Sequence, residues 1–192
     1  YRPFVYIMMN KPDGVISATE DKEHKTVIDL LGNNYRTYSL FPVGRLDIDT
    51  EGLLILTNDG ILTHNLLAPN KHVDKKYYVE LRDPVTEEAA KKLESGIELE
   101  GDFVTKNAKV EVIENSKEPI NKKTGERNPS KAYITISEGK YHQVKRMFKA
   151  VNNKVEYLKR IQMGNLVFDE NLKIGEYREL TEKELKILKN EK

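Results

Sequence analysis

The stretch GRLDIDTEGLLILTNDG, residues 44–60, joins a charged loop to an apolar run and a turn. Its second part, residues 52–60, predicts a buried strand, because a short aliphatic run bounded by turn residues is typical of a sheet interior. Its first part places three acids around one base: Arg45, Asp47, Asp49 and Glu51. Such a loop is a metal site, the setting of a catalytic carboxylate, or a charged turn before a strand.

A calcium loop is the first alternative. Four residues match the acidic and glycine positions of that pattern: Asp47, Asp49, Glu51 and Gly52. The last position of the pattern should supply a bidentate glutamate, but Asn58 occupies it. The preceding SLFPVG does not predict the entering helix that such a loop requires. We therefore predict no metal site, and the four histidines lack metal-ligand spacing: His24, His64, His72 and His142.

A charged turn is the second alternative, and it accounts for Asp49 and Glu51. It does not explain why Arg45 and Asp47 lie in a loop that also carries two glycines. The catalytic interpretation of Asp47 therefore depends on the rest of the chain.

Length and composition set the class of protein. A chain of 192 residues can bury a core as one compact unit or as two small lobes. Its longest aliphatic run, residues 53–56, is far shorter than the roughly 18 residues that span a bilayer. The absence of cysteine excludes disulfides, thiolate nucleophiles and cysteine-based zinc sites. This composition fits a cytoplasmic protein.

The order of elements predicts an α+β fold with a mostly antiparallel mixed sheet and flanking helices, because hairpin signals replace regular βαβ repeats. The alternating stretches NAKVEVI and KAYITIS predict two hairpin arms. The polar segment between them, residues 115–130, predicts a long and mobile loop. Thr86 predicts a helix N-cap, and Thr181 with Glu184 predicts a capping box.

The segment after Gly139 predicts the clearest helix. Its apolar residues recur at helical spacing: Val144, Met147, Phe148 and Val151. The segment from Gly139 to Arg160 contains one acid and seven bases, a local charge of +6. The bases are Lys140, Lys145, Arg146, Lys149, Lys154, Lys159 and Arg160. Such a patch is typical of phosphate binding, and on charge alone a solvated face is equally consistent.

Four stretches in fixed order carry a family resemblance: MMNKPDGVIS, GRLDIDTEGLLILTNDG, KKYYV and EGKYHQVKRMFKAVNNKVEYLKRIQMG. Together they resemble the four motifs of the pseudouridine synthases, specifically the type that acts on small-subunit ribosomal RNA. The match runs from about Asn10 to Thr181. The resemblance implies the family's catalytic fold, with an active-site cleft across the sheet.

The resemblance also implies roles for single residues. The aspartate after Gly-Arg-Leu, Asp47, is the catalytic carboxylate. The tyrosine of the Lys-x-Tyr pattern, Tyr77, faces the uracil, and the base after Gln-Val, Lys145, pairs with Asp47. Without the resemblance, Tyr77 is better explained as a core tyrosine. For Asp47 with Lys145, a purely structural ion pair is the alternative. Further RNA-binding residues are implied at six positions: Asn10, Lys11, Arg45, Gln143, Arg146 and Lys149.

The implied reaction converts a uridine to pseudouridine with no cofactor and no metal. The implied partner is 16S ribosomal RNA, free or in an assembling small subunit, with uridine 516 as the target. We expect a monomer without membrane contact. Large-subunit RNA as the substrate and a non-catalytic RNA-binding module on the same fold are the alternatives. A glycosidase is a third, but it needs two carboxylates at one bond and the chain suggests one.

The domain expectation follows from the same resemblance. Residues 1–192 form the catalytic domain, with room for two lobes: about 1–60 with the C-terminal part, and 61–160. Members of this type usually carry an S4-like RNA-binding domain ahead of the catalytic domain. We find no such domain in this chain, which is the main departure from the family pattern.

Overall fold

A computed structural model describes residues 3–101 and 103–191 and divides the chain into two compact units. The first unit contains the described residues up to Val73 and those from Arg160 onward, and the second is Asp74–Lys159. The boundary lies after the first helix rather than near residue 60, because Leu62 and Leu66 of that helix pack in the core of the first unit.

The elements follow one another in a mixed order. The strands of the described residues are β1 Tyr6–Lys11, β2 Phe41–Pro42, β3 Glu51–Thr57, β4 Lys75–Leu81, β5 Glu98–Leu99, β6 Phe103–Val104, β7 Lys109–Glu114, β8 Ser130–Ile136, β9 Val155–Met163, β10 Leu166–Val167 and β11 Tyr177–Glu179. The α-helices are α1 Gly60–Leu67, α2 Glu87–Ser95, α3 Gln143–Ala150 and α4 Glu182–Leu188. None of these helices has the length and apolar character that crossing a bilayer requires.

The first unit is built around β1 and β3, which pair antiparallel with Met8 opposite Ile55. Their interior positions are almost all buried, as expected of strands covered on both faces. On its other side β1 pairs antiparallel with β11, with Ile7 opposite Glu179. The core of this unit is formed by Met8, Val43, Leu53, Ile55, Leu62, Leu66, Met163, Leu166, Phe168 and Leu188.

The C-terminal helix α4 is fixed at its start by the predicted capping box. Thr181 Oγ1 accepts from the Glu184 amide at 3.1 Å, and Glu184 Oε1 accepts from the Thr181 amide at 2.9 Å. Arg178, on β11, donates to both oxygens of Glu184 at 2.7 and 2.9 Å and to Asp169 at 3.0 Å. One carboxylate therefore serves both the helix cap and the strand beside it.

The second unit contains the predicted hairpin of β7 and β8, and β8 also pairs antiparallel with β4. Buried and half-buried residues alternate along β4 and β8, so each has one face on a core. Thr86 caps α2 by accepting from the Ala89 amide at 3.0 Å, as predicted. These strands confirm the α+β class with a mostly antiparallel sheet.

The segment between β7 and β8 differs from the mobile loop that its polarity predicts. Ile120 and Arg127 form an antiparallel bridge. Beyond it, the Asn121 amide donates to Glu126 O at 2.8 Å, and the Gly125 amide donates to Asn121 O at 2.7 Å. Backbone hydrogen bonds therefore fold this segment into an extension of the hairpin, which we call the arm (residues 115–129).

Candidate active site

The loop that carries Asp47, residues 44–50, is set in shape by its backbone. Gly44 opens it at φ +77°, and a Cβ on Gly44 would lie 3.0 Å from Leu67 Cδ2. Both the conformation and the contact favour glycine. The loop then turns tightly, with the Thr50 amide donating to Asp47 O at 3.0 Å.

Lys11 holds this loop from inside. It is fully buried, and its ammonium donates to three carbonyl oxygens: Pro12 at 2.9 Å, Ile48 at 3.0 Å and Thr50 at 2.9 Å. The two loop carbonyls flank Asp49 in sequence, and the first of them directly follows Asp47, so the lysine fixes the backbone on both sides of Asp49 and just after Asp47. The burial of Lys11 and its three hydrogen bonds show that it supports the loop, and the RNA contact that the sequence predicts for it stays a prediction.

The environment of Lys11 sets its protonation. Burial lowers its pKa from 10.5 to about 8, while nearby carboxylates oppose the shift, the first of them Asp13, followed by Asp49 and Glu51. The ammonium is therefore charged at neutral pH, when all three of its N–H groups have acceptors.

Asn10 is also buried, at 3% exposure. Its side-chain amide donates to Leu172 O at 2.9 Å, and its backbone bonds to the Glu176 carbonyl and the Gly175 amide. The side chain thus ties β1 to the segment before β11. Direct contact between Asn10 and RNA stays a prediction.

Asp47 itself is half-buried on the loop, and its neighbours Arg45, Ile48 and Asp49 are exposed. The carboxylate is therefore accessible on a backbone that is held in place. This combination suits a group that must approach a substrate atom without a change in the loop, because preorganisation lowers the reorganisation needed during reaction.

In the second unit, Tyr77 lies on the buried face of β4 at 9% exposure. Its hydroxyl forms no hydrogen bond with any described residue. Tyr78 differs, because its hydroxyl donates to Glu80 at 2.6 Å and its pKa is raised by burial and by that carboxylate. Of the two tyrosines of KKYYV, Tyr77 has the hydroxyl that is not committed to the protein.

Helix α3 carries the remaining predicted residues. Lys145 is half-buried and Lys149 is exposed. Arg146 is half-buried and donates to Tyr141 O at 3.1 Å and to Glu100 O at 2.8 Å. Its guanidinium therefore anchors the chain near α3, a role that the sequence did not predict.

Gln143 begins α3 and is 4% exposed. Its side-chain oxygen accepts from the Lys140 amide at 3.1 Å, and its side-chain amide donates to Glu138 at 3.1 Å. It closes the turn that leads into the helix, and the RNA contact predicted for it stays a prediction. The apolar stripe of α3 is as predicted, with Val144, Met147 and Phe148 buried.

The predicted site residues therefore fall into two sets. Arg45, Asp47 and their supports Asn10 and Lys11 are in the first unit, and the others are in the second: Tyr77, Gln143, Lys145, Arg146 and Lys149. The pairing of Asp47 with Lys145 stays a prediction. No group of acidic or histidine side chains in residues 3–101 and 103–191 has the arrangement of a metal site.

Comparison with known proteins identifies the class of enzyme. A family model described as RNA pseudouridylate synthase matches residues 5–150. The chain is 52% identical over 188 residues to the uncharacterized RNA pseudouridine synthase YtzG of Bacillus subtilis, covering 98% of this chain and 74% of that protein. It is 41% identical over 181 residues to ribosomal small subunit pseudouridine synthase A of Escherichia coli K12, covering 94% and 72%.

Solved structures agree with this assignment. A crystal structure of a pseudouridylate synthase superposes with a TM-score of 0.84 at 40% identity, covering 96% of this chain and 74% of the other. An H/ACA RNP bound to a substrate RNA gives 0.62 at 18% identity, which shows a shared fold alone, over 90% and 51% of the two chains. The chain belongs to the RNA pseudouridine synthases, and it is therefore an RNA-modifying isomerase.

Proposed function

We propose that this enzyme isomerises a uridine of small-subunit ribosomal RNA, at position 516 of 16S RNA. The support for this target is the 41–42% identity to ribosomal small subunit pseudouridine synthases A from several bacteria. The proposal includes a cytoplasmic monomer that acts on free RNA or on an assembling small subunit.

Asp47 is the catalytic carboxylate of the proposed mechanism. The observation that carries this assignment is the loop at residues 44–50, which presents a half-buried carboxylate on a backbone fixed by Lys11. In the reaction the N1–C1′ bond breaks, the uracil turns, and C5 bonds to C1′. An ionised carboxylate beside C1′ stabilises or traps the developing sugar cation, as carboxylates do in glycoside hydrolysis.

Tyr77 and Lys145 have the other proposed roles. Tyr77 offers an aromatic face to the uracil and an uncommitted hydroxyl near C5, where a proton leaves after the new bond forms. Lys145 is the proposed partner of the Asp47 carboxylate. Arg45, exposed beside the loop, holds a phosphate or fills the space that the flipped uridine leaves. The proton that C5 loses is balanced by the proton that N1 gains.

The target is tested by incubating the enzyme with unmodified small-subunit RNA and, separately, with unmodified large-subunit RNA. Every new pseudouridine is then mapped by sequencing. We expect one modified position in the small-subunit RNA. Modification of large-subunit RNA alone would refute the proposed target and would leave the enzyme class unchanged. A parallel reaction with an assembling small subunit distinguishes the two forms of substrate by their relative rates.

A further inference from the structure

The apex of the arm presents two lysines on a backbone that is already folded. The side-chain oxygen of Asn121 accepts from the amides of Lys123 at 2.9 Å and Thr124 at 3.2 Å. Gly125 then reverses the chain at φ +72°. The side chains of Lys122 and Lys123 are exposed, and neither forms an ion pair with a described residue. The apex therefore holds its two cations at fixed Cα positions and leaves the ammonium groups to solvent.

The charges of the arm are unevenly compensated. Residues 121–125, NKKTG, contain two bases and no acid. Farther down the arm Arg127 pairs with Glu156 of β9, so that base is neutralised within the protein. The whole chain has a formal charge of only +1, because its 32 bases are almost balanced by 31 acids. The arm also carries Glu118, whose carboxylate accepts from the Lys122 amide at 3.4 Å, and Glu126. Neither acid forms an ion pair with the Lys122 or Lys123 side chain, so the two adjacent lysines form a local positive centre at the apex.

Strand β8 connects the arm to the turn before α3, and α3 then runs back, because Asn153 beyond its end bonds to Asp83, close to Leu81, the partner of Ser130. The arm enters β8 at Ser130, and α3 follows its other end at Ile136. Seven residues of strand at about 3.3 Å each make β8 roughly 23 Å long, and this is the estimated distance from the base of the arm to the turn before α3. Along one strand of a stacked helix this length corresponds to about seven nucleotides, since phosphates recur about every 3.4 Å. An RNA must therefore be longer than about seven nucleotides to reach both the arm and the start of α3.

We propose that the arm is a second RNA-binding element, in which Lys122 and Lys123 contact phosphates several nucleotides away from the uridine that is isomerised. This proposal rests on the enzyme acting on RNA and does not depend on which ribosomal RNA is the target. The interaction is electrostatic and independent of base sequence, because phosphates carry no sequence information. Its role is to favour long structured RNA over short fragments.

The test compares Lys122→Ala/Lys123→Ala with wild type. The control, matched in net charge and exposure, is Lys91→Ala/Lys92→Ala on α2 of the same unit, where Lys92 pairs with Glu88 at 3.4 Å. Binding is measured between about 50 and 300 mM salt, the range in which phosphate binding is strongly salt-dependent. Three RNAs are used: a hairpin of roughly 20 base pairs and arbitrary sequence, small-subunit RNA, and an RNA of about five nucleotides. Rates of pseudouridine formation are measured on small-subunit RNA, or on whichever RNA wild type modifies.

We expect the arm variant to bind the hairpin and the small-subunit RNA on the order of tenfold more weakly at low salt. The slope of log K against log salt should fall by about 1.8, since each phosphate that is no longer neutralised lowers it by about 0.9. KM for long RNA should rise while kcat stays unchanged, and the shortest RNA should bind both proteins equally.

An arm variant that keeps the wild-type slope and affinity on both long RNAs would overturn the proposal, and would leave the arm as a contact for an acidic protein or a solvated surface. An equal loss in the Lys91→Ala/Lys92→Ala control would overturn it as well, because the effect would then follow from net charge alone. The outcome for the target is separate: a wild-type enzyme that leaves small-subunit RNA unmodified refutes the target, while the hairpin titration still decides the arm.

Discussion

The loop at residues 44–50 and helix α3 both combine a predicted catalytic residue with nearby bases, but they use those bases in opposite ways. Beside the loop, Lys11 is fully buried and donates its three N–H groups to main-chain carbonyls. On α3, Lys149 is exposed and Lys145 is half-buried. One region uses a cation to hold the protein backbone, and the other leaves Lys149 exposed to solvent.

This difference shows that charge in a sequence does not reveal the role of a base, whereas burial and donor geometry do. A buried ammonium must be satisfied within the protein, because an unpaired buried charge is costly. An exposed lysine contributes little to stability and remains available for phosphate. Substitutions in the two regions should therefore affect different measurements.

The largest effect is expected at Asp47 itself. Asp47→Asn preserves the size of the side chain and removes its charge, so the loop should stay folded while turnover falls by at least roughly 1000-fold. Release of the uracil C5 hydrogen measures turnover, and a binding titration shows that RNA is still bound. Turnover close to wild type would exclude Asp47 as the catalytic carboxylate.

Lys11→Met should have the next largest effect, although Lys11 touches no substrate in the proposed mechanism. Three carbonyls lose their donor, and unsatisfied buried groups cost about 1–3 kcal/mol each, partly offset by removing a buried charge. We expect a stability loss of roughly 2–3 kcal/mol and, since a displacement of about 1 Å in a catalytic group costs about 100-fold, a similar fall in kcat. Urea denaturation and kcat measure the two effects. A wild-type kcat would show that the loop holds its shape without Lys11.

Lys145→Ala tests the predicted pairing with Asp47. We expect kcat to fall by about tenfold to a hundredfold with the salt slope of RNA binding almost unchanged, because the substitution removes a partner of the carboxylate and leaves the phosphate contacts in place. Lys145→Arg keeps the charge and should recover part of the rate. If Lys145→Ala instead weakens binding with a lower salt slope, Lys145 is a surface base and the pairing must be dropped.

The pKa of Lys11 predicts an alkaline limit to activity. As pH rises through about 8, Lys11 loses its proton in the folded protein, the amine keeps two N–H donors for three carbonyls, and kcat should decline several-fold. The free energy of unfolding changes with pH in the opposite direction to kcat. The folded pKa is below the unfolded value of 10.5, so between these values the unfolded chain binds more protons and this group makes unfolding less favourable as pH rises.

Lys11→Arg provides the control for this pH dependence, because a guanidinium stays protonated across the range. The decline near pH 8 should be absent from whatever activity Lys11→Arg retains. A decline at the same pH in that variant would assign the alkaline limb to another group.

The smallest effect is expected at Lys149. Because this lysine is exposed on α3, Lys149→Ala should leave kcat and stability unchanged and weaken RNA binding a few-fold, with the salt slope reduced by about 0.9. Filter binding at several salt concentrations measures this slope. An unchanged slope would make Lys149 part of a solvated face and would remove the contrast between α3 and the loop.

Several elements were predictable because their signals are local. The capping box of Thr181 and Glu184, the N-cap at Thr86 and the apolar stripe of α3 are each encoded within a few residues. The alternation of β7 and β8 likewise predicted a hairpin that the structure contains. The catalytic assignment of Asp47 came from the resemblance of four motifs and not from its loop alone.

Other features depend on contacts that sequence patterns do not encode. The buried ammonium of Lys11 donates to the carbonyls of Ile48 and Thr50, which are far from it along the chain. The arm was predicted to be mobile because its composition is polar, yet the structure folds it through Asn121 and Gly125. The side chain of Asn121 accepts from the following amides and Gly125 takes a left-handed backbone, local contacts that the polarity of the segment does not indicate.

The two units also differ in how the chain encodes them. The second unit is continuous, Asp74–Lys159, whereas β1 of the first unit pairs with β11, near the other end of the chain. During synthesis, β1 emerges first but must wait until Glu179 has been made to gain its partner at Ile7. The unit that starts later in the sequence can therefore finish folding earlier, and the loop that carries Asp47 belongs to the unit that is completed last.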